Sequence, residues 1–123
     1  MGKSLTLLKN IGTRARFYSI ARNDVQKALQ KPSFFDGAVV CYSTKKQNNL
    51  SEDNIEEQII DYSKGILSSH AYRLLPADIN KKGKITSYYL INPYGVMQVK
   101  VSKKELFEYG HEISLAIKDK NED

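Results

Sequence analysis

Two strand-like segments near the C-terminal end, joined by a short turn, constrain the fold more than any other feature of the chain. Residues 85–91 (ITSYYLI) and 96–101 (VMQVKV) are rich in β-branched and aromatic residues, and Asn-Pro-Tyr-Gly lies between them. Proline suits the second position of a type I turn and glycine the fourth. The second segment alternates apolar and polar residues, which is typical of a half-buried antiparallel strand. The sequence therefore predicts a hairpin with one face on a core.

Shorter patterns predict the elements that precede and follow this hairpin. Pro32 ends a short helical pattern, because proline disfavours helix in the residue before it. Ser102 and Glu105 have the spacing of a capping box, which predicts the start of a last helix. The other predicted elements are a helix at 22–30, a buried strand at 38–43, a helix that begins at Ser51 and runs to Leu67, and a short strand at 71–75 that ends at Pro76.

Two apolar stripes support the longer predicted helices. One stripe lies within 55–67 and the other within 106–117. Two such helices can pack on one face of a sheet and enclose a single core. We therefore predict a small α+β domain at 19–120, with a mostly antiparallel sheet of three or four strands and two helices on one face. A ferredoxin-like and a thioredoxin-like arrangement both remain open, and residues 121–123 form a charged tail.

The N-terminal segment differs from the rest of the chain in charge. The first 23 residues contain two lysines and three arginines but no acidic residue. On a helix, Leu7, Leu8, Ile11, Ala15 and Tyr18 would share one face. This basic amphipathic segment resembles a mitochondrial targeting presequence. It predicts a presequence at residues 1–18, either cleaved or retained, recognition by the import machinery and a location in the mitochondrial matrix.

A possible cleavage site lies at the end of this segment. Arg16, Phe17, Tyr18 and Ser19 resemble the fungal type of processing site, so the mature chain would begin at Tyr18 or Ser19. Two other interpretations stay open. The segment is also compatible with a basic surface helix or RNA-binding arm, and Met1-Gly2 begins a pattern for N-myristoylation.

The positive charge of the chain is concentrated in the same segment. The formal net charge is +5, from 19 basic and 14 acidic residues. Four of the basic residues and none of the acidic ones precede Ser19, so a chain that starts there carries a net charge of +1. Global charge is therefore weak support for binding nucleic acid.

Few residues have the spacing that catalysis or metal binding requires. Cys41 lies within an apolar strand, without the electropositive surroundings that activate a thiol. His70 and His111 are the only histidines, and they lie on separate elements without metal-ligand spacing. We predict no catalytic, cofactor or metal site. A nucleophilic pair of Cys41 and His70 remains open, because such partners meet in space rather than in sequence. The chain also has no apolar run near the ~18 residues that would indicate a transmembrane segment.

Surface recognition is the functional pattern that the sequence favours. Strand aromatics flanked by lysines can stack on bases and contact phosphates. Alternatively, the tyrosines pack against helices and the lysines protect a sheet edge. The predicted RNA or partner surface consists of Lys82, Lys84, Tyr88, Tyr89, Tyr94 and Lys100.

These observations together predict a non-enzymatic mitochondrial protein that acts within a larger assembly. The leading hypothesis is a subunit of the mitochondrial ribosome, with protein partners and rRNA. The alternative is an assembly or maturation factor for a respiratory-chain complex. A small thiol-dependent or hydrolytic enzyme is a third class, and it requires Cys41 to lie exposed beside a histidine.

Overall fold

A six-stranded antiparallel sheet dominates the computed structural model, which describes residues 13–46, 59–95 and 98–118. The elements of these residues are β1 (Thr13–Ser19), α1 (Asn23–Leu29), a 3₁₀ turn (Pro32–Phe35), β2 (Ala38–Thr44), β3 (Ile59–Asp61), β4 (Ile66–Leu67), β5 (Ala71–Ile79), β6 (Ile85–Ile91), β7 (Gln98–Ser102), α2 (Lys103–Tyr109) and β8 (Gly110–Lys118). The main sheet has the strand order β1-β8-β2-β5-β6-β7, and β3 pairs with β4 separately.

One face of the main sheet carries the core. Side chains that lie directly opposite each other on antiparallel strands share a face, and Tyr42 lies opposite both Tyr72 and Ile113. The buried side chains on this inner face are Val40, Tyr42, Tyr72, Leu74, Tyr88, Leu90, Val101 and Ile113.

Two inner-face tyrosines hold the helices against the sheet. Tyr88 donates its hydroxyl proton to the carbonyl of Leu29 at 2.7 Å, and Tyr42 donates to the carbonyl of Leu106 at 2.7 Å. Both carbonyls lie in the last turn of a helix, where backbone acceptors have no partner within the helix. The sheet therefore satisfies the C-terminal ends of α1 and α2.

The predicted sheet of three or four strands is wrong, since the described residues form a main sheet of six strands and a second sheet of two. Neither a ferredoxin-like nor a thioredoxin-like arrangement describes it. The largest difference is the last predicted helix, which ends at Tyr109 and continues as β8. Ile113, Leu115 and Ile117 follow a period of two, which suits a strand between β1 and β2.

The second predicted helix is also wrong over its described part. Residues 59–67 form β3, a turn and β4, and Gly65 in the turn has a φ of 69°. This left-handed conformation suits glycine and interrupts a helix. The proposed helix start at Ser51 lies outside the described residues.

At the N-terminus, residues 13–18 belong to β1 rather than to an amphipathic helix, and residues 1–12 lie outside the described part of the chain. β5 continues through Pro76, where the prediction ended it, because the pairing with β6 is irregular between Pro76 and Asp78. The predicted tail at 121–123 and residues 96–97 of the second hairpin strand also lie outside the described residues.

Several local predictions are confirmed. The helix at 22–30 corresponds to α1, and the strand at 38–43 corresponds to β2. Ser102 and Glu105 form the predicted capping box at the start of α2. Within the described ranges, no helix has the length and apolar character needed to cross a membrane.

Candidate functional site

A histidine and an asparagine meet at one end of the main sheet. His70 directly precedes β5, and Asn92 directly follows β6. Because these neighbouring strands are antiparallel, the start of β5 and the end of β6 lie side by side. Nε2 of His70 lies 3.3 Å from Oδ1 of Asn92.

The amide orientation of Asn92 determines how this contact works. The backbone N–H of Tyr94 donates to Oδ1 of Asn92 at 3.0 Å, which closes a turn typical of asparagine. An atom that accepts from a backbone N–H must be the amide oxygen, so the assignment of the amide does not depend on the histidine. Nε2 of His70 is therefore the donor and carries a proton. In the neutral ring, Nδ1 is then the nitrogen without a proton.

The backbone of His70 is held by a neighbouring strand. Thr44, at the end of β2, is buried, and its Oγ1 accepts the N–H of His70 at 2.9 Å. The Thr44 N–H also donates to the carbonyl of His70 at 3.0 Å. The rings of Tyr72 and His70 pack in a T-shaped arrangement, with a centroid separation of 4.8 Å. His70 is consequently fixed in both backbone and ring.

The connection that leads into His70 has an unusual backbone conformation. Ser69 has a φ of 50°, the single positive φ at a non-glycine residue among the described residues. Such conformations cost free energy and concentrate at functional sites. This outlier directly precedes the histidine, which supports a functional interpretation of the site.

This arrangement matches the chemistry of a general base and its orienting partner. A histidine that accepts a proton from a nucleophile needs a second group to select its tautomer and hold its ring. Asparagine serves in this role in Cys–His–Asn triads. The His70–Asn92 pair therefore has the geometry in which an asparagine orients a histidine ring.

Cys41 does not complete the site. Cys41, on β2, lies opposite Arg73 of β5. Its side chain is therefore on the outer face of the sheet, away from Tyr72 and His70. It is also three residues from Thr44, about 10 Å along the strand. Burial raises the pKa of the Cys41 thiol, an effect opposed by a hydrogen bond with Ser114 and by the charge of Arg73. The structure does not bring Cys41 and His70 together.

The residues of the predicted RNA or partner surface occupy several places. Lys82 and Lys84 lie in the β5–β6 turn and Tyr94 in the β6–β7 turn. These turns are at opposite ends of β6, about 20 Å apart. The other three members are Tyr88, which is buried, and Tyr89 and Lys100, which face each other on the outer face.

Lys100 also has an acidic partner. Its Nζ lies 2.7 Å from the Asp78 carboxylate. Tyr94 is 62% exposed and directly follows Pro93 in the turn that contains Asn92. Of the predicted surface residues, Tyr94 is therefore the one beside the His70–Asn92 pair.

The predicted processing residues lie in β1. Arg16, Phe17, Tyr18 and Ser19 pair with β8, and Tyr18 lies opposite the buried Ile113. A cut before Tyr18 or Ser19 would divide β1 and remove most of its pairing with β8.

The sequence carries one signal for the His70–Asn92 pair. Taken singly, Asn92 begins a turn and His70 lacks metal-ligand spacing, and neither feature indicates a pair. Both residues flank strands, one at the start and one at the end. If β5 and β6 are taken as antiparallel neighbours, this placement puts them at the same end of the sheet.

Comparison with known proteins adds no assignment to this site. No protein-family model matches the chain, and a search of curated proteins finds no match. Across the described ranges, no three His, Cys, Asp or Glu side chains come together in a way that could hold a metal ion. The case for the site therefore depends on its own geometry.

Proposed function

We propose that this chain supplies the general base and the orienting residue of an acyl-transfer site that uses a thiol or hydroxyl nucleophile. His70 is the base and Asn92 orients it. The contact between Nε2 of His70 and Oδ1 of Asn92 carries the proposal, because it selects the tautomer with its lone pair on Nδ1.

The proposed reaction follows from that tautomer. Nδ1 of His70 accepts the proton of the nucleophile as its sulfur or oxygen attacks an acyl carbonyl carbon. The imidazolium keeps its Nε2 proton on Asn92 and returns the Nδ1 proton to the leaving amine or alcohol. Water then attacks the acyl intermediate by the same route, which releases the acid and restores the nucleophile.

The nucleophile in this proposal comes from a partner polypeptide. Cys41 is the single cysteine of the sequence and lies on the other face of the sheet. A nucleophile that approaches the His70 end of the sheet would complete the site. The proposal therefore differs from the enzyme hypothesis based on Cys41.

Reactive probes test this function in the native protein. Tagged chain is isolated with its partners and treated with an alkyne-bearing epoxysuccinate for thiols or a fluorophosphonate for hydroxyls. We expect one labelled nucleophile, whose labelling His70→Ala lowers by roughly a hundredfold or more. Asn92→Ala should lower it less, and His111→Ala and Cys41→Ser should leave it unchanged. Labelling that is independent of His70, or that falls on Cys41, contradicts the proposal.

A second candidate is the assembly role predicted from the sequence, and the outer face of the sheet favours it. Phe17, Val39, Leu75, Tyr89 and Ile91 lie half-buried on this face. Adjacent half-buried apolar side chains suit contact with another protein. We propose contact with a subunit of a mitochondrial assembly, either the ribosome or a respiratory-complex intermediate.

Sedimentation of tagged protein from mitochondria separates this candidate from the first. If the outer face binds an assembly, wild-type protein and His70→Ala should migrate in heavy fractions, and Ile91→Lys should migrate in light ones. Wild-type protein in light fractions at low salt contradicts the assembly role. Absence of the native protein from mitochondria contradicts the predicted location.

A further inference from the structure

Thr44 joins the two ends of the connection between β4 and β5. Its Oγ1 donates to the carbonyl of Leu67 at 2.7 Å and accepts the N–H of His70 at 2.9 Å. A hydroxyl has one proton and two lone pairs, so it can make both bonds at once. Thr44 is 3% exposed, and water therefore has little access to these backbone groups.

Residues 68 and 69 lie between these two hydrogen bonds, and their backbone includes a strained conformation. Ser69 has its positive φ there, and its N–H donates to the carbonyl of Lys45 at 3.2 Å. Tyr72 supports the same connection, since its hydroxyl oxygen accepts the N–H of Leu67 at 3.0 Å. A strained conformation persists only where surrounding contacts over-determine it. The Thr44 hydroxyl supplies two of these contacts.

The direction of the His70 ring depends on this connection. The imidazole reaches Oδ1 of Asn92 at 3.3 Å, which is near the long end of hydrogen-bond distances. A small displacement of the His70 backbone would therefore lengthen the contact beyond bonding distance.

We propose that Thr44 is a positioning residue that aligns His70 with Asn92 through its buried hydroxyl; this inference rests on the proposed function. Valine matches threonine in shape but lacks the hydroxyl, whereas serine keeps the hydroxyl and loses only a methyl group. Thr44→Val and Thr44→Ser therefore separate the hydrogen bonds from the packing.

The ¹⁵N resonances of the His70 ring measure this alignment directly. The full chain is prepared with His111→Gln, which leaves His70 as the single histidine. At a pH where the ring is neutral, we expect the chain with Thr44 and the Thr44→Ser variant to show mainly the Nε2–H tautomer. Thr44→Val should show a smaller share of this tautomer, with the shift difference between the ring nitrogens falling to that of an unrestrained neutral imidazole, in which Nε2–H is also the major form. If Thr44→Val fails to fold, Thr44→Ala replaces it with the same expectation.

The outcomes distinguish this inference from the proposed function. If the chain with Thr44 shows no more of the Nε2–H tautomer than an unrestrained neutral imidazole does, the His70–Asn92 pair itself is wrong, and both proposals fail. If it shows more and Thr44→Val retains that excess, only the role of Thr44 is refuted. In the probe assay, Thr44→Val should reduce labelling by roughly tenfold or more, and Thr44→Ser should restore it. Equal labelling of the Val and Ser variants also refutes the role of Thr44.

Discussion

One side-chain oxygen links His70 to the turn that follows the neighbouring strand. Oδ1 of Asn92 accepts from the backbone of Tyr94 and from Nε2 of His70. The turn thus orients the amide, and the amide selects the histidine tautomer. At the residue scale, the important property of Asn92 is therefore its place in a turn next to another strand, as much as its residue type.

Gly110 shows the opposite case, in which the important property is the lack of a side chain. A Cβ at this position would lie 2.7 Å from Cε1 of Tyr42, 2.8 Å from Cδ1 of Ile20 and 2.8 Å from the carbonyl oxygen of Leu106. The glycine joins α2 directly to β8 and permits this close approach.

We expect Gly110→Ala to lower the free energy of unfolding by about 1–3 kcal/mol, because the added methyl group overpacks the core and meets a backbone oxygen. Urea denaturation followed by circular dichroism measures the change. Lys104→Ala, at an exposed position of α2, is the control and should change stability little. Equal stability of the two variants would show that the close approach relaxes without cost.

At the scale of elements, α1 and α2 are too short to be stable without the sheet. Each spans seven residues, below the length at which isolated helices persist in water. Tyr88 and Tyr42 bond the last turns of these helices from the inner face. Tyr88, which belongs to the predicted recognition surface, thus holds a helix in place, as Tyr42 does.

Tyr42→Phe and Tyr88→Phe should each reduce the free energy of unfolding by about 1–2 kcal/mol, because each leaves a buried helix carbonyl without its hydroxyl donor. Tyr62→Phe is the matched control, since Tyr62 is 83% exposed. Chemical denaturation of the three variants makes the comparison. A loss for Tyr62→Phe as large as for the buried pair would contradict this account.

At the scale of the whole molecule, the first and last described strands pair with each other at one edge of the sheet. β8 lies between β1 and β2, and seven residues of β1 pair with it. β1 also covers Ile113 with Tyr18, so removing β1 would expose both an apolar side chain and a strand edge.

A chain that starts at Ser19 should therefore be less stable than one that starts at Thr13, by about 2 kcal/mol or more. The comparison uses urea denaturation of the two truncated chains. It also tests the predicted presequence, since cleavage before Tyr18 or Ser19 leaves nearly the same chain as the shorter variant. Equal stability would mean that β1 is dispensable and would favour the presequence interpretation.

Two carboxylates make the stability of the fold depend on pH in the acidic range. The pKa of Asp61 is lowered mainly by the Ser63 hydroxyl and also by Tyr109. The pKa of Glu105 is lowered by the Ser102 N–H and by Lys64. These contacts anchor the turn between β3 and β4 to α2.

Since the folded pKa values lie below the unfolded ones of 3.8 and 4.5, the contacts contribute fully above pH 4.5 and are lost as pH falls. The urea concentration at the unfolding midpoint should decrease as the pH is lowered from about 5 to about 2. Asp61→Asn should make this decrease with pH less steep. A midpoint that does not change over this range contradicts the role of these carboxylates.

The hydrogen bond between Tyr109 and Asp61 also makes stability depend on pH in the alkaline range. Asp61 raises the pKa of Tyr109 to about 12. The stabilisation from this hydrogen bond is therefore fully present below pH 10.0, the usual phenol pKa, and is lost as pH rises through about 12. Tyr109→Phe should remove this alkaline part of the stability profile, and the urea midpoint above about pH 10 measures it.

Local chemistry made part of this protein predictable from sequence. The capping box at Ser102 and Glu105 depends on residues three positions apart, and the helix stop at Pro32 depends on the proline ring. The apolar pattern of 38–43 likewise predicted a strand, which is β2. Interactions within a few residues are encoded where they act, so they can be inferred without knowledge of the fold.

The remaining features were decided by contacts between distant parts of the chain. Residues 110–118 carry apolar residues compatible with either period, and pairing with β1 and β2 makes them a strand. The His70–Asn92 pair requires two residues 22 positions apart to meet at one end of the sheet. By itself the sequence determined turns, caps and short elements, because their energies are local. Only the tertiary structure decided the strand order and the candidate site, because both depend on which strands become neighbours.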